Sequence, residues 1–512
     1  MAIFRLLYTF RKTGLLSIGS MFYLLQAIFQ HGVNLYSLLQ FCRKKYPQKI
    51  AITDDEQSIT YLELYEHCNA LTNMFSKKLI HQPQPQIAII SQNHIPLIQA
   101  IFAASRLGAT ISFIHSDFSN NQIATFLETS AFDLILVDTS TIGRVPTTYT
   151  HKTCHIEEVA RNIQPTFRID QLKRRHHSKL VLLTSGTTGT PKKIQHNPSL
   201  FNYLDPFLAM VQTLNLLTYR VGYIATPIYH GYGLANLFLL LVLGKTIILT
   251  KKFDAQNAAR LLKKHEVALF VAVPVMLYKL LATNTANLSL RCIVSGGAPF
   301  PHALAKKLNE RFGPVFYNLY GTSETGLNII GTPTQLLEHP NATGSIVNGI
   351  CYEIRSNHCI CPPNEIGELY IKSKATMFQK HIQWMPTNDL AFTSKDGTIT
   401  IVGRYDEMII SGGNNVYPLH IESTLLQHEN VADALVIAVE DEFFTKRLVA
   451  YVTLDEQDIL SPTDIESWLN QHVARYERPK SIIIVNEIPY TPLGKKDRKR
   501  YQQQKPYVLE RT

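Results

Sequence analysis

Short apolar runs alternate along this chain with longer stretches in which apolar residues recur every three or four positions. Ile50–Thr53, Ser58–Tyr61, Gln86–Ile90, Thr110–Ile114, Asp133–Val137 and Leu180–Leu183 read as strands. Tyr61–Leu79 carries Leu62, Tyr65, Leu71, Phe75 and Leu79 at helical spacing, and Pro96–Leu107 reads as a second helix. The alternation continues through strands at Val221–Pro227, Thr246–Leu249, Leu269–Pro274 and Arg291–Gly297. Strands separated by helices predict an α/β fold with mostly parallel sheets in a large, multi-layer N-terminal domain. Residues 138–179 are polar and basic, with Lys173-Arg174-Arg175-His176-His177 near their end, and read as a surface connection. Glu365–Ser373 opens a β-rich portion. Beyond Gly403-Arg404-Tyr405-Asp406 lies a piece of domain size with strands at Ala434–Val439 and Leu448–Leu454. A helix at Ser461–Val473 begins there with the capping sequence Ser-Pro-Thr-Asp.

At 512 residues the chain exceeds what one core organises, so two or more domains are expected. Composition, 45% hydrophobic and 18% charged, is that of a globular protein. The net charge of +10 favours anionic partners such as nucleotides, coenzyme A or a membrane surface. No Lys/Arg block is interleaved with aromatics, so nucleic acid is not expected. The seven scattered cysteines point to reduced thiols and a cytoplasmic compartment. Cys351, Cys359, Cys361 and His358 lack zinc-site spacing. Thr13–Cys42 contains no charged Lys, Arg, Asp or Glu; Arg5, Arg11 and Lys12 precede it and Arg43, Lys44 and Lys45 follow. Its apolar centre, Leu15–Phe29, is interrupted by Gln26 and followed by Gln30 and His31, against a spanning helix. It reads either as a helix on the inner membrane surface or as one packed on the protein's own core.

Thr184-Ser185-Gly186-Thr187-Thr188-Gly189-Thr190-Pro191-Lys192 follows the apolar run Leu180–Leu183. Nine residues with five hydroxyls, two glycines and a lysine make a loop dense in donors, able to surround a triphosphate. It is not the P-loop pattern, because Lys192 lies three residues past the last glycine. Tyr320-Gly321-Thr322-Ser323-Glu324-Thr325-Gly326 places an aromatic face, hydroxyls and a carboxylate together. Such a ring can stack on a purine, and such a carboxylate can bind a hard divalent cation. Trp384-Met385-Pro386-Thr387-Asn388-Asp389, Gly403-Arg404-Tyr405-Asp406 and Pro489-Tyr490-Thr491-Pro492-Leu493-Gly494-Lys495 follow in order. Any one alone reads as a surface loop, and Lys495 alone as one charge in a solvated basic tail.

In that order the motifs resemble the adenylate-forming (AMP-binding) superfamily, which contains acyl-CoA synthetases, firefly-type luciferases and peptide-synthetase adenylation domains. The resemblance covers about residues 45–505. It implies an apolar extension at 1–44, an AMP-binding domain at 45–403, a hinge at 404–406 centred on Asp406, and a smaller mobile α+β domain at 407–512. It also implies two steps: a carboxylate and ATP give acyl-adenylate and pyrophosphate, then a thiol displaces AMP. The loop from Thr184 to Lys192 would hold the phosphates. Gly296, Gly297, Ala298 and Pro299 would line the adenine and acyl side. Tyr320, followed by Gly321, would stack on adenine, Thr322 would contact the α-phosphate, and Glu324 and Thr184 would hold Mg2+. Asp389 would accept from the ribose hydroxyls with Arg404 beside it. Lys495 would act in the first step, where an ammonium reduces repulsion between carboxylate and phosphate.

Pro227-Ile228-Tyr229-His230-Gly231-Tyr232-Gly233 resembles the acyl-pocket segment of acyl-CoA synthetases, with His230 at the pocket mouth. Residues Ala272–Leu277 would contribute further wall. Amino-acid-activating domains usually carry an Asp in that segment for the substrate ammonium, and none stands between Pro227 and Leu234. Gly321 stands where acetyl-CoA synthetases have a pocket-closing Trp, which implies room for a longer acyl group. Residues 406–418 also resemble fatty and medium-chain acyl-CoA ligases. The resemblance thus implies a ligase making acyl-CoA from a medium- or long-chain fatty acid with ATP, Mg2+ and coenzyme A. Two alternatives stay open: loading of a carrier protein's phosphopantetheine in trans, and a non-catalytic acyl or nucleotide sensor. Three residues depart from the pattern: Lys193 and Asn388 where glycine is usual, and His420 where an acid is usual.

Overall fold

A computed structural model describes residues 17–79, 82–168, 178–184, 192–196, 203–339, 341–374, 383–411, 414–441, 445–454, 460–491, 495–498 and 501. The chain divides into two compact units, residues up to 272 with 283–292, and residues 273–282 with 293 onward. The expected hinge at 404–406 lies inside the second unit.

The first unit opens with two helices, α1 (Ile18–His31) and α2 (Leu35–Lys45). Gly32, at a φ of 88°, ends α1, and the Asn34 side chain caps α2 by accepting from the Ser37 N–H. The described part of the expected extension, residues 17–44, therefore divides in two. Leu35, Tyr36, Leu39, Phe41 and Cys42 of α2 are core residues, whereas α1 exposes its large apolar side chains. Helix α3 (Tyr61–Lys78) starts in a capping box between Thr60 and Glu63. Its first residue, Tyr61, is fully buried and donates to the carbonyls of Leu241 and Lys245.

Eleven strands follow chain order through this unit: β1 (Ile50–Thr53), β2 (Ser58–Thr60), β3 (Gln86–Ile90), β4 (Thr110–Ile114), β5 (Leu134–Val137), β6 (Thr153–His155), β7 (Lys179–Thr184), β8 (Lys192–His196), β9 (Val221–Ile224), β10 (Thr246–Leu249) and β11 (Leu269–Ala272). One sheet runs β6-β5-β3-β4-β7-β8 and is parallel except at the antiparallel β7–β8 edge. The other runs β11-β9-β10-β1-β2, parallel except at β1–β2. Ile87, Ile89, Ile111 and Phe113 are essentially inaccessible, as strands of a sheet covered on both faces must be.

The span 138–179 departs from the expected plain connection. It contains β6 and the helix Ile156–Asn162. Glu157 is buried there, accepting from Thr139 N–H and pairing with Lys251 at 2.8 Å. Burial opposes its charge, yet these partners hold its carboxyl down at about 2. A polar sequence hid a packed segment because its polar groups satisfy one another. The basic run at 173–177 lies outside the described residues.

In the second unit, β12 (Cys292–Gly296) runs parallel to β13 (Phe316–Thr322), which continues antiparallel to β14 (Gly326–Gly331) and β15 (Ser345–Ile346). A five-stranded antiparallel sheet takes the order β17-β16-β18-β19-β20, from β16 (Cys351–Ser356), β17 (Cys359–Ile360), β18 (Gly367–Lys372), β19 (Met385–Thr393) and β20 (Ile399–Arg404). After the 3-10 turn Tyr405–Glu407 come the hairpin β21 (Ile409–Ser411)–β22 (Asn414–Val416) and a sheet of β23 (Val431–Asp441), β24 (Thr445–Leu454) and β25 (Ser481–Ile484). Helices Pro418–Leu425 and Pro462–His472 complete the α+β tail, with Ile421, Leu425, Val436, Ala450, Ile465 and Leu469 forming its core. The mixed α/β architecture with a smaller α+β piece is the expected fold.

Candidate active site

The segment expected to be the phosphate loop falls at the β7–β8 hairpin. The last backbone pair joins Thr184 to Lys192, so residues 185–191 connect the strands at that end. Ser185, Gly186, Thr187, Thr188, Gly189, Thr190 and Pro191 lie outside the described residues. Lys193 stands in extended strand, its Nζ 2.5 Å from Ser130 Oγ and 4.7 Å from the centre of the Phe126 ring. That backbone needs no glycine, so this departure is sterically neutral.

At the root of the loop, Leu183 offers its carbonyl to His115 Nε2 at 3.0 Å. His115 packs against Tyr229 and His230, ring centres 5.1 and 4.4 Å away, and against Phe118. Burial holds its imidazole neutral, with a pKa of about 4. Tyr229 donates to Asp117 Oδ2 at 2.6 Å. His230 precedes the helix Gly231–Val242, and Gly233 is required at its first turn. A Cβ there would stand 2.3 Å from the Pro227 carbonyl oxygen. Asn93, 3% exposed, holds the Thr226–Ile228 bend from both sides. It donates to Thr226 O and accepts from Ile228 N–H. The motif at 227–233 thus sits in a rigid aromatic cluster next to the loop root.

In the second unit, Tyr320, Thr322 and Glu324 occupy the β13–β14 hairpin. Thr325 N–H donates to Thr322 Oγ1 at 3.1 Å and closes the turn, leaving Glu324 half-buried. A Cβ on Gly321 would lie 2.2 Å from the Gly326 carbonyl oxygen. Glycine is therefore demanded by the bulged hairpin, and its presence does not by itself open an acyl pocket. Tyr320 Oη donates to Asp389 Oδ2 at 2.6 Å. Asp389, 7% exposed, faces Arg404 across the β19–β20 register, with Nη1 at 3.3 Å from Oδ1. Arg404 also grips Asp406 through Nε at 2.8 Å. Burial raises the Asp389 carboxyl above its usual range, and the Tyr320 hydrogen bond, Arg404 and Lys495 oppose that rise. Asn388 holds a φ of 59°, the left-handed region where Asn is the most tolerated side chain after glycine. The substitution keeps the backbone that the glycine position requires. Gly297, at a φ of 79°, leaves open space where a Cβ would stand, beside half-buried Ala298 and exposed Pro299.

Lys495 is exposed on a short loop. Thr491 N–H donates to the Lys495 carbonyl at 2.7 Å, and Lys495 N–H donates to Thr491 Oγ1. The neighbours read as solvated tail are instead anchors. Lys496 Nζ lies 3.2 Å from Glu422 and 3.1 Å from Asp433, and it also donates to the Ala434 carbonyl. Arg498 Nη1 reaches Glu422 Oε1 at 2.5 Å and Val436 O at 2.7 Å. Glu422 is 1% exposed; burial opposes its charge, but Lys496 and Arg498 outweigh it and lower the carboxyl's pKa. Tyr490 donates to Asp433 at 2.6 Å from the other side of the loop. His420 stands 3.3 Å from Glu477.

The second unit thus brings Tyr320, Asp389, Arg404, Asp406 and the charge of Lys495 into one neighbourhood. A ring, a buried ribose-sized acceptor and flanking cations can hold a purine ribonucleotide. Sequence reasoning missed His115, Asp117 and Asn93, because each acts across long chain separations. Only His115–Ser116–Asp117, polar residues at the end of an apolar run, offered a signal. All seven cysteines are unpaired, and no group of three metal-ligating His, Cys, Asp or Glu side chains occurs among the described residues.

Residues 39–379 match the family model of the AMP-binding enzymes, and residues 420–495 match that of the AMP-binding enzyme C-terminal domain. A 2-succinylbenzoate–CoA ligase of Bacillus subtilis strain 168 is 27% identical over 460 residues, 86% of this chain and 92% of the relative. A second, from Oceanobacillus iheyensis, is 27% identical over 467 residues, 88% of this chain and 95% of that protein. A solved structure of o-succinylbenzoate CoA synthetase from B. subtilis with the acyl-adenylate OSB-AMP superposes with a TM-score of 0.77 at 25% identity. It covers 92% of this chain and 98% of its own. The same enzyme with ATP and a magnesium ion gives a TM-score of 0.75 at 26% identity, covering 91% of this chain and 99% of its own.

Proposed function

This chain belongs to the AMP-binding, adenylate-forming enzyme family, and on that premise we propose that it joins an aromatic acid of the 2-succinylbenzoate class to coenzyme A. Its class is that of the AMP-forming acid–CoA ligases, which use ATP, Mg2+ and coenzyme A. The observation that carries the nucleotide part is the hydrogen-bonded set Tyr320–Asp389–Arg404. In this reading Tyr320 stacks on adenine, Asp389 accepts from the ribose hydroxyls, and Arg404 opposes the rise that burial imposes on the Asp389 carboxyl. Thr184 to Lys192 bind the phosphates, and Gly297, Ala298 and Pro299 border the nucleotide and acyl groups. Glu324, half-buried, offers hard carboxylate oxygens, a donor type that suits Mg2+ together with Thr184. When bound, Mg2+ would reduce the charge of the phosphates.

The substrate carboxylate oxygen attacks the α-phosphorus, and the bond to pyrophosphate breaks. Lys495 holds the incoming carboxylate against the α-phosphate, and Thr322 donates to the same phosphate; both interactions strengthen as charge moves toward pyrophosphate. The coenzyme A sulfur then attacks the acyl carbon, AMP leaves, and the thiol proton goes to solvent. A turn about Asp406 would withdraw Lys495 between the steps.

The aromatic substrate class is supported by the relatives' substrate and by the His115–Tyr229–His230–Phe118 cluster, which suits a planar ring. The fatty acid that the motifs suggested is the second reading; the apolar face exposed on α1 favours it. Asp117, held by Tyr229, is a carboxylate that inspection of 227–234 alone did not count, so amines belong in the test. The experiment is carboxylate-dependent pyrophosphate release from ATP and Mg2+ with 2-succinylbenzoate, fatty acids of increasing length, aryl acids and amino acids, with and without coenzyme A. Release and thioester with 2-succinylbenzoate support the first reading, and with fatty acids only, the second. Release without thioester points to a carrier protein, and no release with any acid to a sensor.

A further inference from the structure

Helix α1 faces the wrong way for a core helix. Ile18, Met21, Phe22, Leu25 and Phe29 are 90, 46, 61, 62 and 76% exposed. At 3.6 residues per turn they form one stripe about 100° wide along the helix. The opposite side carries the small residues Ser20 and Ala27, 3% and 0% exposed, and α1 packs on α2. Ser37 of α2 donates to the Ala27 carbonyl, fixing which side turns inward. A core helix buries its large residues; this one leaves five of them exposed, with Leu24 and Ile28 half-buried. An exposed apolar stripe of this size marks an interaction surface.

The charge around the stripe says what covers it. Residues 1–53 contain seven Lys and Arg side chains (Arg5, Arg11, Lys12, Arg43, Lys44, Lys45 and Lys49) and no Asp or Glu. Three precede α1 in the sequence. The short connection Gly32–Asn34 lets α2 pack against α1, and the cations closing α2 are half-buried, Arg43 lying 4.5 Å from the centre of the Tyr65 ring and Lys45 5.6 Å from that of Phe41. A second copy of the chain would bring two such segments together with no carboxylate to neutralise them. A bilayer surface of anionic lipid offers both the apolar depth and the negative charge. With 14 residues, α1 is about 21 Å long, too short for a hydrocarbon core of about 30 Å. No helix among the described residues is long and apolar enough to cross a membrane. We propose that α1 lies in the plane of an anionic lipid surface, its Ile18–Phe29 stripe in the acyl boundary, with the positive charge of this part of the sequence favouring anionic headgroups.

The test uses the full chain and large unilamellar vesicles of dioleoyl phosphatidylglycerol and phosphatidylcholine, with phosphatidylcholine alone as the control. Cosedimentation is expected with the anionic vesicles only, weakening about tenfold or more as salt is raised, because headgroup attraction is screened. Phe22→Ser with Leu25→Ser should weaken it about tenfold or more, since apolar insertion is lost. Both side chains are largely exposed and outside the proposed active site, so pyrophosphate release with a soluble acid should stay unchanged in the double variant. No binding of the unaltered chain to anionic vesicles overturns the proposal, as does equal binding by the double variant. Sedimentation velocity showing a dimer that the double substitution dissociates, without vesicle binding, assigns the stripe to a second copy and equally overturns it.

Discussion

Glu422→Gln tests the claim that buried charge positions the Lys495 loop. The wild-type carboxylate, 1% exposed, accepts from Arg498 at 2.5 Å, Lys496 at 3.2 Å and the Val436 N–H at 2.9 Å. Glutamine keeps the shape and the Val436 bond but removes the charge. Breaking a buried ion pair costs about 3–5 kcal/mol, because the remaining charge stays desolvated. Here Lys496 retains Asp433 at 3.1 Å, and Arg498 retains the Val436 carbonyl. Relief of that kind places the expected cost at the lower end, about 3 kcal/mol. The loss should be local to the α+β tail. Amides of 489–498 should exchange faster while β3–β5 do not change. Pyrophosphate release should fall, and the double variant with Lys495→Ala should be no slower than Lys495→Ala alone, because Glu422 acts only through the loop. The reasoning is refuted if Glu422→Gln exchanges and turns over like wild type, or if its effect adds fully to that of Lys495→Ala. A pH dependence follows with a definite sign. The folded carboxyl is depressed below 4.5, so its stabilisation is complete above that pH and is lost as pH falls through the folded value.

Asp389→Ala should raise the KM for ATP by roughly 10- to 100-fold, the loss of one or two charge-assisted hydrogen bonds, with a smaller change in KM for the acid. Lys495→Ala should cut adenylation by at least about 100-fold yet leave thioester formation from supplied acyl-adenylate nearly intact; equal loss in both steps would contradict its role. Gly233→Ala should destabilise the first unit by about 1–3 kcal/mol in urea unfolding, since the added Cβ would meet the Pro227 carbonyl at 2.3 Å. His31 is held neutral by burial and by nearby Arg106, its pKa lowered to about 4. Its unfolded form gains a proton near pH 6.5, so its contribution is full above that and falls toward pH 4; His31→Leu should flatten the pH slope of urea midpoints in that window.

Local pattern was enough to place most elements. Buried strands such as Gln86–Ile90 and Thr110–Ile114 are continuous apolar runs, and the cap at Ser461 is written in adjacent residues. The chemistry was legible for the same reason. The expected phosphate loop, Tyr320–Gly326, Asp389, Arg404 and Lys495 each sit in short segments whose residue types suggested the chemistry proposed for them. What pattern could not supply was which distant groups meet. Lys496 and Arg498 look like a solvated tail until the fold sets them on Glu422, more than 70 positions earlier in the chain. Asp117 and His115 join Tyr229 and His230 only because the ends of β4 and β9, strands of two different sheets, meet at the turn 226–230. The polar span after residue 138 hid a helix whose carboxylate is neutralised by Lys251, nearly a hundred positions away. The apolar N-terminus illustrates the same division. Its sequence determined that an uncharged apolar stretch would be flanked along the chain by cations. Only packing decided that α2 joins the core while α1 turns Ser20 and Ala27 inward and its large apolar side chains out, because burial is a property of what a surface meets.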